Sequence, residues 1–158
     1  MKLFIAIPIT ALILSSFASL SSRNALAEED AYKPVKDKVV AAECSECHML
    51  YPVGLLPGSS WGKIIDGLTD HFGQNASVLP EDAAHIRAYL TGNGAAERRA
   101  LYIGPIKPSP LRITEMDWFK GEHGPKRISL ASLAKYKAKS PADCVACHKD
   151  AERGLFDD

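Results

Sequence analysis

The chain has 158 residues, with 19 Lys or Arg against 19 Asp or Glu, and therefore a formal net charge of zero. Its 46% hydrophobic and 24% charged residues are typical of a folded protein and exclude wholesale disorder. Balanced charge argues against a general nucleic-acid binder, which needs a basic excess to neutralise phosphates. The length allows one domain or two small ones.

Residues 1–27 have the pattern of a secretory signal peptide. Lys2 supplies the positive start, residues 3–14 form an uncharged apolar run, and Ala25-Leu26-Ala27 is a small-x-small cleavage sequence. The apolar run is short for a retained membrane anchor, because crossing a bilayer takes about 20 residues. Cleavage would leave 131 of the 158 residues, with 17 basic and 19 acidic side chains because Lys2 and Arg23 are removed. We therefore expect an exported protein, located in the periplasm.

The pattern Cys-x-x-Cys-His occurs twice, as Cys44-Ser45-Glu46-Cys47-His48 and as Cys144-Val145-Ala146-Cys147-His148, and includes all four cysteines. This pattern is typical of covalent haem c attachment. Thiols three positions apart on a helix share a face, where they can bond to the two vinyl groups of haem, and the adjoining His can ligate the iron. We therefore predict two haem c groups, attached through Cys44, Cys47, Cys144 and Cys147, with His48 and His148 as proximal iron ligands.

Three other interpretations of the cysteines explain less. A redox disulfide in each pair would leave the following His without a purpose, and a structural disulfide framework would not require a repeated five-residue pattern. A zinc site would have to join two pairs that are almost 100 residues apart, whereas zinc ribbons separate such pairs by about 15–20 residues.

Helical patterns fill the region around and after the first Cys motif. Val40, Cys44 and Cys47 fall at i, i+4 and i+7, which predicts a helix through the motif. A second amphipathic helix is predicted over about Ser60–Phe72, and a third over Pro80–Thr91. We expect a proline carbonyl of the intervening loop, residues 49–59, to accept a hydrogen bond from the second ring nitrogen of His48.

Glycine and proline divide the chain. Residues 92–110 hold three glycines and three prolines, which predicts a connection, and we place the linker at residues 95–110. A first haem domain is expected over residues 28–94 and a second over residues 111–158.

The second half contains two further predicted helices. Ser129 is a candidate N-cap for a helix to about Lys137, with Leu130, Leu133 and Tyr136 facing inward. Ser140-Pro141-Ala142-Asp143 has the pattern of a helix start before the second Cys motif, and Gly154 is a candidate stop.

Three histidines and two methionines remain as candidates for the sixth position of each iron. His71 shares the apolar face of its predicted helix, which favours it as the ligand of the first iron. His85 lies at the edge of the apolar side of the Pro80–Thr91 helix, and we interpret it as a surface residue. Met49 adjoins His48 and cannot reach the opposite haem face.

The second iron has two candidate ligands. His123 follows Trp118 and Phe119, aromatic residues that can pack on a porphyrin, and glycines on both sides permit a close backbone approach. Met116 is the alternative, and we favour His123. Paired imidazoles would make each iron low-spin and six-coordinate, with a lower potential than His/Met ligation gives.

Charge divides unevenly along the chain. Residues 28–91 hold five basic and ten acidic side chains, a net of −5, whereas residues 120–149 hold seven basic and two acidic, a net of +5. These are either ordinary solvated faces, or the poles of a molecule that meets an acidic redox partner near its second haem.

The chain resembles the DHC family of small exported dihaem cytochromes c, from about Cys44 to Phe156. Besides the two haem motifs, the resemblance rests on Tyr51-Pro52-x-Gly54-Leu55-Leu56-Pro57, Ser60-Trp61, His71-Phe72-Gly73, Arg112-Ile113-Thr114, Trp118-Phe119, Glu122-His123 and Gly154-Leu155-Phe156. It implies a mainly α fold, with an N-terminal domain like class I cytochrome c and a smaller, irregular C-terminal haem domain. It also implies bis-histidine ligation by His48 with His71 and by His148 with His123.

The resemblance further implies an electron carrier rather than an enzyme. Its expected partners are other redox proteins, namely a small oxygen-binding monohaem cytochrome c and a membrane cytochrome b561. The alternative is a haem enzyme or gas-binding protein with one displaceable sixth ligand, although the sequence contains no recognisable constellation of polar catalytic residues. A structural or metal-binding module without haem is a third hypothesis.

Overall fold

The computed structural model describes residues 32–95, 110–124 and 126–156. The predicted signal peptide and most of the predicted linker lie outside these residues. The described residues are mainly helical, with isolated bridges but no β-strand. Their α-helices are α1 (Lys38–Cys44), α2 (Gly58–Asp66), α3 (Pro80–Asn93), α4 (Asp117–His123) and α5 (Leu130–Lys135). Single 3-10 turns occur at Val53–Leu55, Leu68–Asp70, Ile113–Glu115, Cys144–Ala146 and Ala151–Arg153.

Helix α1 leads into the first Cys motif. The Asp37 side chain caps it by accepting hydrogen bonds from the backbone N–H groups of Val39 and Val40, both 3.0 Å long. The helix ends at Cys44, so the prediction that it continues through Cys47 was wrong. The Ser45 hydroxyl donates to the Ala41 carbonyl at 2.7 Å, a local bond that competes with further helix.

The second predicted helix is shorter than expected. Helix α2 ends at Asp66, and Gly67 separates it from the 3-10 turn Leu68–Asp70, so His71 follows a turn rather than lying on the helix. Glycine weakens a helix because it has more backbone freedom to lose. Helix α3 begins at Pro80 as predicted and continues two residues past Thr91.

Helices α2 and α3 pack closely through a glycine contact. A Cβ atom on Gly58 would lie 2.5 Å from the Thr91 carbonyl oxygen, so only glycine fits there without displacement. The same pair of helices supplies half of the buried hydrophobic core, namely Trp61, Ile64, Ile65, Ile86 and Leu90, and Val40 of α1 packs in the same cluster. Because α2 leads into the turn that carries His71, this packing sets the position of that histidine.

The residues after the predicted linker share this core. Met116 and Phe119 are only 2% and 5% exposed and belong to the same cluster of buried side chains. The Ser60 hydroxyl donates to the Pro110 carbonyl at 2.7 Å, and the Tyr32 N–H donates to the Gly154 carbonyl at 2.9 Å. The division into two haem domains stays a prediction, but side chains from both segments contact one another.

Helix α5 confirms its predicted cap but not its predicted face. The Ser129 hydroxyl accepts from the Ser132 N–H at 3.1 Å. Leu130 and Tyr136 are 86% and 49% exposed, so the prediction that they face inward was wrong. Over so short a helix only the central Leu133 reaches the interior, whereas residues at the two ends project away from it.

The helix predicted to start near Ser140 is absent. The Ser140 hydroxyl accepts from the Ala142 N–H, and the Asp143 carboxylate accepts from the Lys139 N–H. These side-chain bonds hold a turn in place of a helix start. The second Cys motif therefore begins with a 3-10 turn, and Gly154, at φ 81°, ends the last 3-10 turn as predicted.

Replacing Gly58 with Ala should destabilise the protein, whereas the matched change at Gly92 should not. The added Cβ at position 58 meets backbone, and such overpacking costs about 1–3 kcal/mol. Gly92 lies near the end of α3 with no atom within 4 Å of its ideal Cβ, so Gly92→Ala should stabilise by roughly 0.5–1 kcal/mol. Thermal unfolding of the two variant holoproteins measures both effects. Unfolding midpoints that moved in the same direction would contradict this packing.

Candidate functional site

The first Cys motif begins at the end of α1 and continues into a turn. Cys44 is half-buried against the core, and burial, followed by the charge of Glu43, raises the pKa of its thiol. Cys47 and His48 are exposed. The motif therefore has one thiol at the edge of the core and one thiol facing outward.

The His48 ring is oriented by its own backbone neighbour. Its Nδ1–H donates to the Met49 carbonyl at 2.6 Å, and a carbonyl can only accept, so Nε2 keeps its lone pair for a metal. The prediction that a proline carbonyl accepts the hydrogen bond from His48 was wrong. The Pro52 carbonyl accepts from the Leu55 N–H, and the Pro57 carbonyl accepts from the first N–H groups of α2.

A tight turn presents His71. Its N–H donates to the Gln74 carbonyl at 2.7 Å, and the Asp70 carboxylate accepts from the Gly73 N–H at 2.9 Å. Phe72 and Gly73 both have positive φ, 55° and 96°. Burial lowers the pKa of His71, and the nearby His48 and Arg112 lower it further. These effects favour the neutral imidazole, which is the form that binds metals.

The rings of His48 and His71 face each other with centroids 6.2 Å apart and planes 25° apart. Two imidazoles bound on opposite sides of one metal at about 2 Å have their centroids roughly 6 Å apart. The centroid separation of His48 and His71 is therefore compatible with one iron bound by both rings.

The second Cys motif opens onto a cavity of about 300 Å³. Cys144, Cys147, His123 and His148 all line it. Its apolar wall comes from both halves of the chain and consists of Leu55, Ile113, Trp118, Phe119, Ile128, Leu133 and Phe156. An apolar cavity with two thiols and two imidazoles has the donor set that a covalently attached haem requires.

His123 ends helix α4 and is fixed by an aromatic neighbour. The Phe119 ring stacks on it at 4.3 Å between centroids, with planes 10° apart. Burial lowers the pKa of His123, and the nearby His148 lowers it further. The Phe119 carbonyl opposes this shift, but the buried Nδ1 has no partner that meets hydrogen-bond geometry.

The rings of His123 and His148 have centroids 6.0 Å apart, with planes 73° apart. Their separation matches that of the first pair, although the relative rotation of the rings differs. Rotation about the axis joining two rings does not change their separation. The two histidine pairs therefore have nearly the same centroid separation, although different local structures hold them.

The other candidate ligands lie elsewhere. Met116 is buried in the hydrophobic core and does not line the second cavity. His85 is exposed, and its Nε2 lies 2.9 Å from an Asp37 carboxylate oxygen, which agrees with the expected surface position.

Sequence reasoning missed two side chains beside the first site. The Arg112 guanidinium lies 4.2 Å from the centroid of the Phe72 ring, adjoining His71. The Tyr51 ring lies 4.9 Å from the His48 ring, and burial, followed by the charges of Cys144 and Asp143, raises the pKa of Tyr51 to about 12. Both residues belong to sequence segments on which the family resemblance rests. That resemblance was the signal by which sequence reasoning could have found them.

Two Cys-x-x-Cys-His segments, each beside a pair of facing histidines, define the class of a c-type cytochrome with two haems. The family model for dihaem cytochrome c, DHC, matches residues 40–156. The chain belongs to the dihaem cytochrome c (DHC) family. It therefore carries two haem c groups, as the family and the two Cys-x-x-Cys motifs, Cys44 with Cys47 and Cys144 with Cys147, imply, and the prediction of two haems is confirmed.

Solved structures of similar proteins support the same fold. A dihaem cytochrome c from Rhodobacter sphaeroides is 41% identical, with a TM-score of 0.70 over 78% of this chain and 99% of the other. A second structure, of DHC purified from that organism, gives a TM-score of 0.64 at the same identity and coverage. The dihaem cytochrome type c of Shewanella baltica OS155 is 35% identical, with a TM-score of 0.62 over 76% of this chain and 86% of the other. No protein of curated function matches the chain.

Two coarser properties follow from the family and the fold. Dihaem cytochromes c are generally electron carriers, and c-type cytochromes are usually extracytoplasmic. Across residues 32–95, 110–124 and 126–156, no helix combines the length and apolarity that a membrane crossing requires.

Proposed function

We propose that this chain is a periplasmic electron carrier in which each iron lies between two histidines, His48 with His71 and His148 with His123. The observation that supports this most directly is the matched spacing of the two ring pairs, 6.2 Å and 6.0 Å between centroids. Each haem, when bound, supplies an iron that cycles between two oxidation states. The predicted signal peptide at residues 1–27 supports export to the periplasm.

The protein residues orient the ligands and keep them neutral. The Met49 carbonyl fixes the tautomer of His48, and the turn after Asp70 fixes His71. Phe119 stacks on His123 and restricts its rotation. Burial favours the uncharged form of both His71 and His123. Ligands held in this way resist displacement, which suits electron transfer and disfavours binding of a substrate at iron.

His71→Met and His123→Met should each raise the potential of one haem and leave the other unchanged. Thioether ligation favours the reduced iron, so we expect a rise on the order of 0.1 V or more, within the roughly 0.8 V that axial ligands span. A potentiometric titration with optical spectra of both haems measures the change.

Two control variants accompany this titration. His85→Ala should change neither potential, because His85 pairs with Asp37 away from both ring pairs. Met116→Leu should preserve the spectrum of the second haem, because Met116 lies in the core. If the spectrum of the second haem changed in Met116→Leu but not in His123→Met, the assignment of His123 as its ligand would be contradicted.

Carbon monoxide added to the reduced protein should leave its absorption spectrum nearly unchanged, because two fixed imidazoles leave no open position on either iron. Rapid binding at one haem would instead favour the alternative, a haem enzyme or gas-binding protein with a displaceable sixth ligand. Stopped-flow mixing separates the two results, and His123→Ala serves as a positive control with an opened site.

The second haem site is the proposed docking region for a redox partner. Several exposed basic side chains lie within two positions of residues that line the second cavity, among them Lys120, Lys126, Lys135, Lys137, Lys139 and Lys149. Such a surface attracts an acidic partner and orients it as it approaches. The partners that the family resemblance implies, a small oxygen-binding monohaem cytochrome c and a membrane cytochrome b561, remain proposals of this kind.

Replacing Lys126 and Lys139 together by Glu should slow reduction by an anionic donor several-fold at low ionic strength. Photoreduced flavin mononucleotide is a suitable anionic probe, and neutral lumiflavin controls for changes unrelated to charge. Lys63→Glu on α2 tests a lysine outside the second cavity and should have little effect. Equal slowing with both flavins, or none with either, would contradict a charge-guided approach.

A further inference from the structure

Tyr51 lies between the two haem sites and contacts both. On one side its ring lies 4.9 Å from the His48 ring, with the planes tilted by 33°. On the other side its hydroxyl donates to the Ala142 carbonyl at 3.0 Å, across 91 positions of sequence. The same carbonyl oxygen lies 3.5 Å from Sγ of Cys144, which carries the second haem. One side chain therefore links the histidine of the first motif to the attachment loop of the second.

The segment that follows Tyr51 makes the same connection. Tyr51 itself packs against the shared core, and Leu55, four residues later, is buried and lines the second cavity. Other contacts between the two halves, such as Ser60 with Pro110 and Tyr32 with Gly154, include neither a motif histidine nor an attachment cysteine. Tyr51 is thus placed to affect both haem sites directly.

We propose that Tyr51 is a positioning residue that fixes the two haem sites relative to each other through its ring contact with His48 and its hydrogen bond to the Ala142 carbonyl, and so sets the rate of electron exchange between the haems. This inference rests on the proposed function as an electron carrier. The attachment loop from Ser140 to Asp143 has no regular helix, so a bond from outside the loop restricts its movement. Loss of that bond lets the second attachment site shift relative to the first.

Tyr51→Phe in the matured holoprotein tests the proposal, because it keeps the ring beside His48 and removes only the hydroxyl. We expect two bound haems with unchanged optical spectra, but electron exchange between them that is several-fold slower. Exchange is measured by NMR on partially reduced protein, and the spread of iron–iron distances is measured by pulsed dipolar EPR on oxidised protein. Tyr136→Phe, an exposed tyrosine of the second half, is the matched control and should change neither measurement.

The outcomes separate this proposal from the electron-carrier function. Unchanged exchange and an unchanged distance distribution in Tyr51→Phe would overturn it, even if the thermal midpoint fell, because the bond would then act only on stability. Rapid carbon monoxide binding would overturn the electron-carrier function instead, and with it the meaning of the exchange rate. Fluorotyrosine at position 51 retains the hydroxyl and should restore exchange to the original rate, whereas slow exchange there would also overturn the proposal.

A second measurement does not depend on a substituted protein. In the fully reduced wild-type holoprotein, a hydroxyl proton held between Tyr51 and Ala142 should exchange slowly with water and show NMR contacts to residue 142. A freely exchanging hydroxyl proton at Tyr51 would overturn the proposal, even if Tyr51→Phe failed to mature with two haems.

Discussion

Two pairs of imidazole rings, each held about 6 Å apart by backbone rather than by the rings themselves, determine what the rest of this structure must do. Neither pair sits on one continuous element. His48 follows a helix end and His71 sits in a tight turn with positive φ at the next two residues. His123 ends α4, and His148 follows a 3-10 turn. The packing of the helices and turns must therefore bring each pair together, and burial lowers the pKa of His71 and His123 and so favours the neutral form that binds iron.

That requirement explains why one core extends across the chain. A domain of this size buries a modest fraction of its surface, and two separate cores would each be small. Val40 of α1, Ile86 of α3 and Met116 before α4 instead pack in a single cluster. Helix α4 carries Phe119, which belongs to that cluster, and His123, which lines the second cavity. The core of the first site thus also positions a histidine of the second.

The sequence was sufficient to predict two haem groups and the longest described helix, α3, and insufficient to predict the turns. Cys-x-x-Cys-His is a local pattern with one dominant meaning, and the positions of Pro80 and Ser129 predicted helix starts that the structure confirms. Hydrophobic spacing failed at Leu130 and Tyr136, because burial depends on which neighbours a short helix meets. The turn at His71 and the hydrogen bond from Tyr51 to Ala142 depend on tertiary contacts. Local sequence propensity does not determine such contacts. The rings of His71 and His123 do lie about 6 Å from those of the two motif histidines, and their roles as iron ligands stay predictions.

The scarcity of regular structure around the second Cys motif has a consequence for biogenesis. From Ser140 to Phe156 the chain forms only single 3-10 turns, and its Pro141, Cys144, Cys147 and Phe156 side chains line part of a cavity of about 300 Å³. A porphyrin attached there would give these side chains an apolar surface to pack against, which regular secondary structure does not supply in this segment. Because Cys144 and Cys147 line an interior space, thioether formation has to precede final closure of the polypeptide. The machinery that attaches the haem must therefore reach these cysteines while this part of the chain is still open.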